Sequence, residues 1–487
     1  MDCERSVGKE SMHPLTLMMN PSSLAFWGAS NNPTKMGTIQ LTNVLETGYR
    51  GPVYPVHPSE STVLGLPAYK SITDVGRPVD LVQLTLPTEV VPRVLDECGR
   101  AGIRRAIVIS GGFREVTDGS GRELEREIKE IADRYGIRFL GPNCVGIFNS
   151  LCSLNSTTIP RPPGGGKIAF ASQSGAYTSM INPLLRSQGI RMCQTISVGN
   201  EADIDLTDCL EYLKDKPEIQ AIGLYVEAIR RPREFIRAAK ETVSKKPVVA
   251  IYVGGGEAGS RASLSHTGAL TGPDEVYDGL FQQAGVIRAD DLDQMLDLIW
   301  ALSSAPLPAG DRMAVISNSG GPGTSLAYHV EKAGLSVPLF SDGLSERLNA
   351  VTGRLAFVRN PIDLTFEMDL FLFKQLLEMI FESGEVDGAL LYGIFGWSDF
   401  MVNLEARFPE IKQMQEYWES RYTEFLNRLA EIPKAYGKPL FVMSFSPASS
   451  ASIRPLTEQD IPVFSSASRA ARAMRALLDY RIIRDSR

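Results

Sequence analysis

Three times along the chain a short apolar run leads into a turn of small residues. The runs are Leu24-Ala-Phe-Trp-Gly-Ala-Ser30, Ile168-Ala-Phe-Ala-Ser-Gln-Ser-Gly175 and Met313-Ala-Val-Ile-Ser-Asn-Ser-Gly320. The second and third align without gaps, Ala169 with Ala314, Ser172 with Ser317, Ser174 with Ser319 and Gly175 with Gly320. Further on, Ile204-Asp-Leu-Thr207 returns as Ile362-Asp-Leu-Thr365. Two matches in the same order predict that these segments are duplicated copies of one fold. Their spacing is far longer than a solenoid repeat, so they read as sister domains.

Pro/Gly/Ser-rich stretches at 159–166 and 303–310 have the composition of linkers. They divide the chain into segments at about 20–160, 165–303 and 311–487. Within the segments, strands alternate with helices. Leu81–Leu86 is a strand, and Thr88 is expected to cap a helix with Val91, Val94, Leu95 and Cys98 on one face. Ala106–Ile109, Ala221–Val226 and Pro247–Val253 continue the pattern. Continuous apolar strands between amphipathic helices predict an α/β fold with parallel sheets covered on both faces. In such sheets ligands bind beyond the carboxyl ends of the strands. Residues 398–437, rich in Glu, Arg, Lys and aromatics, read as one or two amphipathic helices inserted into the third domain, solvated or subunit-facing.

A chain of 487 residues has room for about three domains of ordinary size. The net charge of −7 argues against a general nucleic-acid binder and leaves anionic small ligands open. No apolar run is long enough to predict a membrane span. The first 20 residues, with Glu4, Lys9, Glu10 and His13, read as a loose leader and not as a secretion signal. The six cysteines show no CxxC spacing, which fits reduced thiols in a cytoplasm.

Only four histidines are present, so each can be weighed. His13 lies in the leader and reads as inert, and His329 reads as a structural helix residue. His57, in Tyr54-Pro-Val-His-Pro58, reads as a ligand rim or a structural strand end. His266 lies in Ser263-Leu-Ser-His-Thr-Gly-Ala-Leu-Thr-Gly272, a polar loop after a strand. A reactive histidine belongs in such a place, and a structural role is equally open. Glu227 directly follows the strand ending at Val226. Its carboxylate could fix one imidazole tautomer and leave the other nitrogen nucleophilic, or it could simply be solvated.

The turns at Ser174, Gly175 and at Gly320, Gly321, Gly323 each precede a helix, whose unpaired amides suit a phosphate. In the first segment Gly28 and Gly37 stand too far apart for the dinucleotide fingerprint, and no acid for a ribose hydroxyl follows. That argues against a NAD-dependent oxidoreductase. A Rossmann-type domain taking a nucleotide with a different tail fits better.

Together these stretches resemble a known family. Gly28-Ala-Ser-Asn31, Gly141-Pro-Asn-Cys-Val-Gly146, Ser172-Gln-Ser-Gly175, Val198-Gly-Asn-Glu-Ala-Asp203 and Ser265-His-Thr-Gly-Ala-Leu270 occur in that order. The chain resembles the alpha subunit of NDP-forming acyl-CoA synthetases, above all ADP-forming acetate–CoA ligase and more distantly succinyl-CoA synthetase. The resemblance implies a CoA-binding domain and two flavodoxin-like ligase domains. It implies that His266 is phosphorylated and that Glu227 stabilises the phosphohistidine. Gly28, Ala29, Ser30, Asn31, Val56, His57, Pro58, Ile109, Ser110 and Gly111 would line the CoA site. Ser174, Gly175, Gly320, Gly321 and Gly323 would hold phosphate, and no resident metal is implied on this chain. The implied reaction converts acyl-CoA, ADP and phosphate to a carboxylic acid, CoA and ATP. The ADP/ATP site and Mg2+ would belong to a partner beta subunit with ATP-grasp domains, in a hetero-oligomer. Two positions depart from the family. Ser59 stands where relatives often carry a lysine, and Ser179 where succinyl-CoA synthetase has tyrosine, which disfavours succinate. The alternative is a regulatory protein that binds CoA or acyl-CoA without turnover.

Overall fold

The apolar runs become strands that are buried along their length, as at Leu24–Trp27, Leu81–Leu84 and Ala221–Val226. A strand buried on both faces needs helices on both sides and partners on both edges, which produces parallel layered sheets. The computed structural model describes residues 12–116, 119–256, 259, 272–354, 356–365, 367, 369–393, 407–408, 411–448, 450 and 453–487.

In the first domain the strands are β1 (Leu24–Trp27), β2 (Val53–Val56), β3 (Leu81–Leu84), β4 (Arg105–Val108) and β5 (Arg138–Leu140). They form a parallel sheet in the order β2-β1-β3-β4-β5. The second sheet uses β6 (Ile147–Asn149), β7 (Leu154–Asn155), β8 (Ile168–Ser172), β9 (Met192–Ser197), β10 (Ala221–Val226), β11 (Val248–Tyr252) and β12 (Ile287–Ala289). Its order is β12-β11-β10-β8-β9-β6-β7, with β6 and β7 antiparallel at one edge. The third uses β13 (Met313–Ser317), β14 (Phe357–Val358), β15 (Ile362–Asp363), β16 (Gly388–Tyr392), β17 (Leu440–Met443) and β18 (Val463–Phe464), ordered β14-β15-β13-β16-β17-β18.

The duplication expected from the sequence reappears in hydrogen bonds. Ser172 Oγ accepts from Ser174 N at 3.1 Å and donates to Ser174 O at 2.7 Å. Ser317 does the same with Ser319, at 3.0 and 2.6 Å. Asp205 accepts from Thr207 N at 2.8 Å, and Asp363 from Thr365 N at 2.9 Å.

The chain forms two compact units, Met1–Pro183 with Arg191–Asp291 and Leu184–Ile190 with Leu292–Arg487. In the first, residues 198–203 join the first and second sheets' domains. Asp203 accepts from Arg138 Nε (2.8 Å), Phe139 N (2.9 Å) and Lys129 Nζ (3.0 Å), while Ala202 N donates to Gly141 O at 3.0 Å. In the second unit, helix Leu292–Ser304 packs on helix Ala467–Asp485. There the buried Asp297 is held at both oxygens, 2.7 Å each, by Arg469.

Two local expectations are corrected. The leader is not loose throughout, because Pro14–Met19 is a helix whose Leu15, Met18 and Met19 are fully buried. Pro14 starts it without wasting an amide, and His13 Nδ1 accepts from Leu15 N. Thr88 does not cap the following helix. It begins a 3-10 turn, Thr88–Val90, and its hydroxyl donates instead to Gly111 O. In the stretch 398–437, expected as one or two amphipathic helices, the described residues include one helix, Ile411–Tyr436. Its Phe425, Leu426 and Leu429 are buried, and it packs on helix Leu370–Ser383 of its own domain.

Replacing Arg469 by alanine should leave the Asp297 carboxylate buried without its counter-ion and destabilise the second unit by about 3–5 kcal/mol. Denaturant unfolding measures this, and a loss below about 1 kcal/mol would place the pair among ordinary surface bridges.

Candidate active site

Residues expected to line the CoA site gather at the carboxyl edge of the first sheet. The turn after β1 and the end of β2 are neighbours because their strands pair from Leu24↔Val53 to Trp27↔Val56. Asn31 spans them, donating to Thr62 O at 2.9 Å and to the Glu60 carboxylate and accepting from Leu64 N at 3.0 Å. His57 Nδ1 accepts from Glu60 N at 3.0 Å and Ser59 N at 3.3 Å, and its Nε2 stands 3.9 Å from the Glu60 carboxylate. Val56 and Ala29 are buried, Ser30 is half-buried and Pro58 is exposed. After β4, Ile109 is buried and Ser110 bridges Leu86 N and O (3.2 and 2.6 Å), so its hydroxyl ties two loops together. The Gly111 carbonyl is taken by Thr88.

The two glycines of the first turn are explained by backbone approach. Gly28 has φ +88°, and a Cβ there would stand 1.8 Å from Thr85 O. A Cβ on Gly37 would stand 2.3 Å from Gly28 O. The helix Met36–Thr47 therefore starts against the turn itself, a contact only glycine permits.

At the carboxyl edge of the second sheet, Glu227 leaves β10 with its side chain buried. Gln173, one residue past β8, accepts from Glu227 N and from Ala228 N (3.1 Å) and donates to Ala228 O (2.7 Å). Its other donor contact, 2.7 Å, is to the buried Glu201. Burial, with Asp205 adding, pushes the Glu201 carboxyl up to about 8 against the pull of Gln173, Leu206 N and Arg114. Tyr252, the last residue of β11, exchanges hydrogen bonds with Gly272, donating to its carbonyl at 2.6 Å and accepting from its amide at 3.1 Å. The Tyr252 ring stacks on Tyr277 at 3.6 Å, and the Tyr277 hydroxyl accepts from Ile229 N at 3.0 Å. His266 lies outside the described residues, in the stretch between Gly259 and Gly272.

The expected phosphate turns open helices Gly175–Ser179 and Gly320–Lys332. In both, the serine amide is already given to the preceding serine hydroxyl, so the cradle begins at the glycine. They differ in charge. An Asp363 oxygen lies 3.1 Å from where a Cβ on Gly320 would stand, which makes the Gly320, Gly321, Gly323 turn the poorer anion cradle. Among the described residues, His13, Asp208 and Glu211 bring ligand atoms within 4.8 Å of one another. Arg231 (3.0 Å) and Arg138 (3.7 Å) already compensate Asp208, so this cluster is neutralised by the protein itself.

A CoA-binding domain of Rossmann type followed by a ligase-type flavodoxin domain defines a CoA ligase of the NDP-forming class. Residues 22–150 match the family described as CoA binding domain, and residues 165–302 the succinyl-CoA ligase like flavodoxin domain. The alpha subunit of acetate–CoA ligase [ADP-forming] II from Pyrococcus furiosus is 42% identical over 351 residues, 72% of this chain and 76% of that one. Acetate–CoA ligase [ADP-forming] from Methanocaldococcus jannaschii is 36% identical over 72% of this chain, which spans only 49% of that longer protein. The solved dinucleotide-forming acetyl-coenzyme A synthetase 1 of Ca. Korarchaeum cryptofilum, in complex with phosphate and ADP, superposes with a TM-score of 0.85 at 30% identity. The match covers 97% of this chain and 98% of that one. The chain belongs to the family of ADP-forming acetate–CoA ligase alpha subunits, and it is an acyl-CoA synthetase component, not a non-catalytic CoA binder. Among the described residues, no helix is long and apolar enough to cross a membrane.

Sequence reasoning missed Gln173, Glu201, Tyr252 and Tyr277. Gln173 sits inside the quoted serine-glycine turn, and Glu201 inside the 198–203 motif, so both were visible but unassigned. Gly37→Ala should push the 28–31 turn out of place, lowering stability by about 1–3 kcal/mol and weakening CoA binding. Unfolding and calorimetric CoA titration check this, and unchanged affinity would separate the turn from the CoA site.

Proposed function

We propose that this chain carries the phosphoryl group of an ADP-forming acid–CoA ligase on His266, with Glu227 as the carboxylate that orients and stabilises the charged ring. The observation that carries this reading is the position of the buried Glu227 at the end of β10. The neighbouring β11 runs into the His266-bearing segment, and the far end of that segment, Gly272, is held at Tyr252. In the forward sense, inorganic phosphate attacks the thioester carbonyl, CoA leaves, and an acyl phosphate forms. The imidazole then attacks phosphorus, the C–O–P link breaks on the phosphorus side, and the carboxylic acid is released. Phosphohistidine finally passes the group to ADP, giving ATP.

The CoA thiol end would reach this edge from the site lined by Gly28–Asn31, Val56–Pro58 and Ile109–Gly111. The Gly175 helix start, with the Ser174 hydroxyl, is the stronger phosphate holder. The Gly320–Gly323 turn, with Asp363 beside it, contributes less unless a cation accompanies the anion. Phosphoryl transfer of this kind depends on positioning and charge stabilisation more than on covalent chemistry by many residues. ADP/ATP and Mg2+ would sit on a beta subunit with ATP-grasp domains, and the two chains would work as a cytoplasmic hetero-oligomer.

With that partner present, His266→Asn should lower ATP formation from acyl-CoA, ADP and phosphate by at least about 10^3-fold while CoA still binds. Glu227→Gln should lower the phosphoenzyme level, with a loss of about 10^2-fold in turnover. Unchanged turnover in His266→Asn would remove the histidine from the reaction.

A further inference from the structure

Gln173 is buried and makes four contacts with its one amide. Its Oε1 accepts from the backbone amides of Glu227 and Ala228, and its Nε2 donates to Ala228 O and to Glu201 Oε2. It thus grips the chain where Glu227 leaves the sheet. The Ala228 carbonyl and the two amides already set which way this amide points, and Glu201 Oε2 takes its second Nε2 hydrogen at 2.7 Å. Glu201 is itself fixed from several sides. Its Oε1 accepts from Leu206 N at 2.9 Å, and Arg230 donates to the carbonyls of Glu201 (2.6 Å) and Asn200 (2.9 Å). Its backbone is held at φ +53°, a conformation a non-glycine residue keeps only when its surroundings impose it. Next to it, Asn200 donates to Glu115 at 2.7 Å, and Glu115 accepts from Gly112 N at 2.6 Å, in the loop that follows β4.

The sister domain provides an internal control. Strand register pairs Ser172 with Tyr225 and Ser317 with Tyr392, and Gln173 N and Asn318 N each donate to the partner tyrosine carbonyl at 3.3 Å. Asn318 therefore stands for Gln173, one methylene shorter. Two residues beyond Tyr392 the sequence has Ile394, where the second domain has Glu227. The long amide and the glutamate whose backbone it holds occur together in one copy and are replaced together in the other.

We propose that Gln173 and Glu201 are a positioning pair for the phosphoryl-transfer step: Glu201 anchors the Gln173 amide at Nε2, and that amide fixes the backbone from which the Glu227 side chain projects. The proposal rests on the role given to Glu227 above. Both residues bond to the backbone and loops around Glu227, so the effect is on the rate of phosphoryl transfer and not on CoA affinity.

The test uses the enzyme assembled with its nucleotide-binding partner. Glu201→Gln removes one of two acceptors, and Gln173→Glu keeps the acceptors for the Glu227 and Ala228 amides while removing the donors. Each should slow single-turnover phosphorylation of the chain by about 10- to 100-fold, with the Kd for CoA within about twofold of wild type. The double variant Gln173→Glu/Glu201→Gln restores one donor–acceptor pair in reversed polarity and should recover about tenfold over Gln173→Glu alone. Additive losses in the double variant, or equal losses of CoA affinity and rate, would overturn the positioning role. If Gln173→Glu does not fold, Glu201→Gln alone decides through its rate against its CoA affinity. If Glu227→Gln phosphorylates normally, the underlying reading fails. If Glu227→Gln is slow and both pair variants are normal, only the positioning pair fails.

Discussion

The parallel pairing of β8 between β9 and β10 is the constraint on which the site depends. Ser172 lies level with Ser197 on one side and Tyr225 on the other, so three chain segments leave the sheet at one height. These segments carry Gln173 to Gly175, Val198 to Asp203, and Glu227 to Arg231. Parallel strands cannot close by hairpins, so each exit must be a loop leading to a helix. The buried polar groups of those loops then have to find one another. Gln173, Glu201 and Arg230 meet that requirement, and the same bonds hold the backbone from which the carboxylate expected to act on the histidine projects.

The duplication shows how one scaffold diverges. Both copies keep the serine turn and the aspartate that accepts from the threonine amide two residues on, features that hold the fold. The chemistry-bearing positions differ. One copy has Gln173 and Glu227, the other Asn318 and Ile394. Geometry was retained where it builds the sheet edge, and charge was rearranged where a ligand would sit.

Much of this was legible in the sequence. Strand positions followed from continuous apolar runs, the sister domains from aligned small-residue turns, and the family from the ordered motifs. What escaped depends on long-range contacts. Nothing local distinguishes a capping Thr88 from one reaching to Gly111, and a polar leader conceals that Leu15, Met18 and Met19 complete a core. The amphipathic 411–436 helix carries no local mark of the neighbour it packs on, and Phe425, Leu426 and Leu429 seat it on helix Leu370–Ser383. Gly28 and Gly37 were read against a nucleotide fingerprint, whereas the structure requires them for two close backbone approaches. Glu201 was part of a recognised motif, but a lone carboxylate in sequence does not reveal that it is buried against an amide.

Peptide mapping of the phosphorylated enzyme tests the central claim most directly. The chain, assembled with its partner and incubated with ATP and magnesium, is digested under alkaline conditions that preserve phosphohistidine. Trypsin should release the stretch from Ala262 to Arg288, which holds His266 and no other histidine. The account predicts one acid-labile phosphoryl group on that peptide, and its loss when a carboxylic acid and CoA are added to the intact enzyme before digestion. Phosphate on any other peptide, or a label there that carboxylic acid and CoA leave in place, would contradict it.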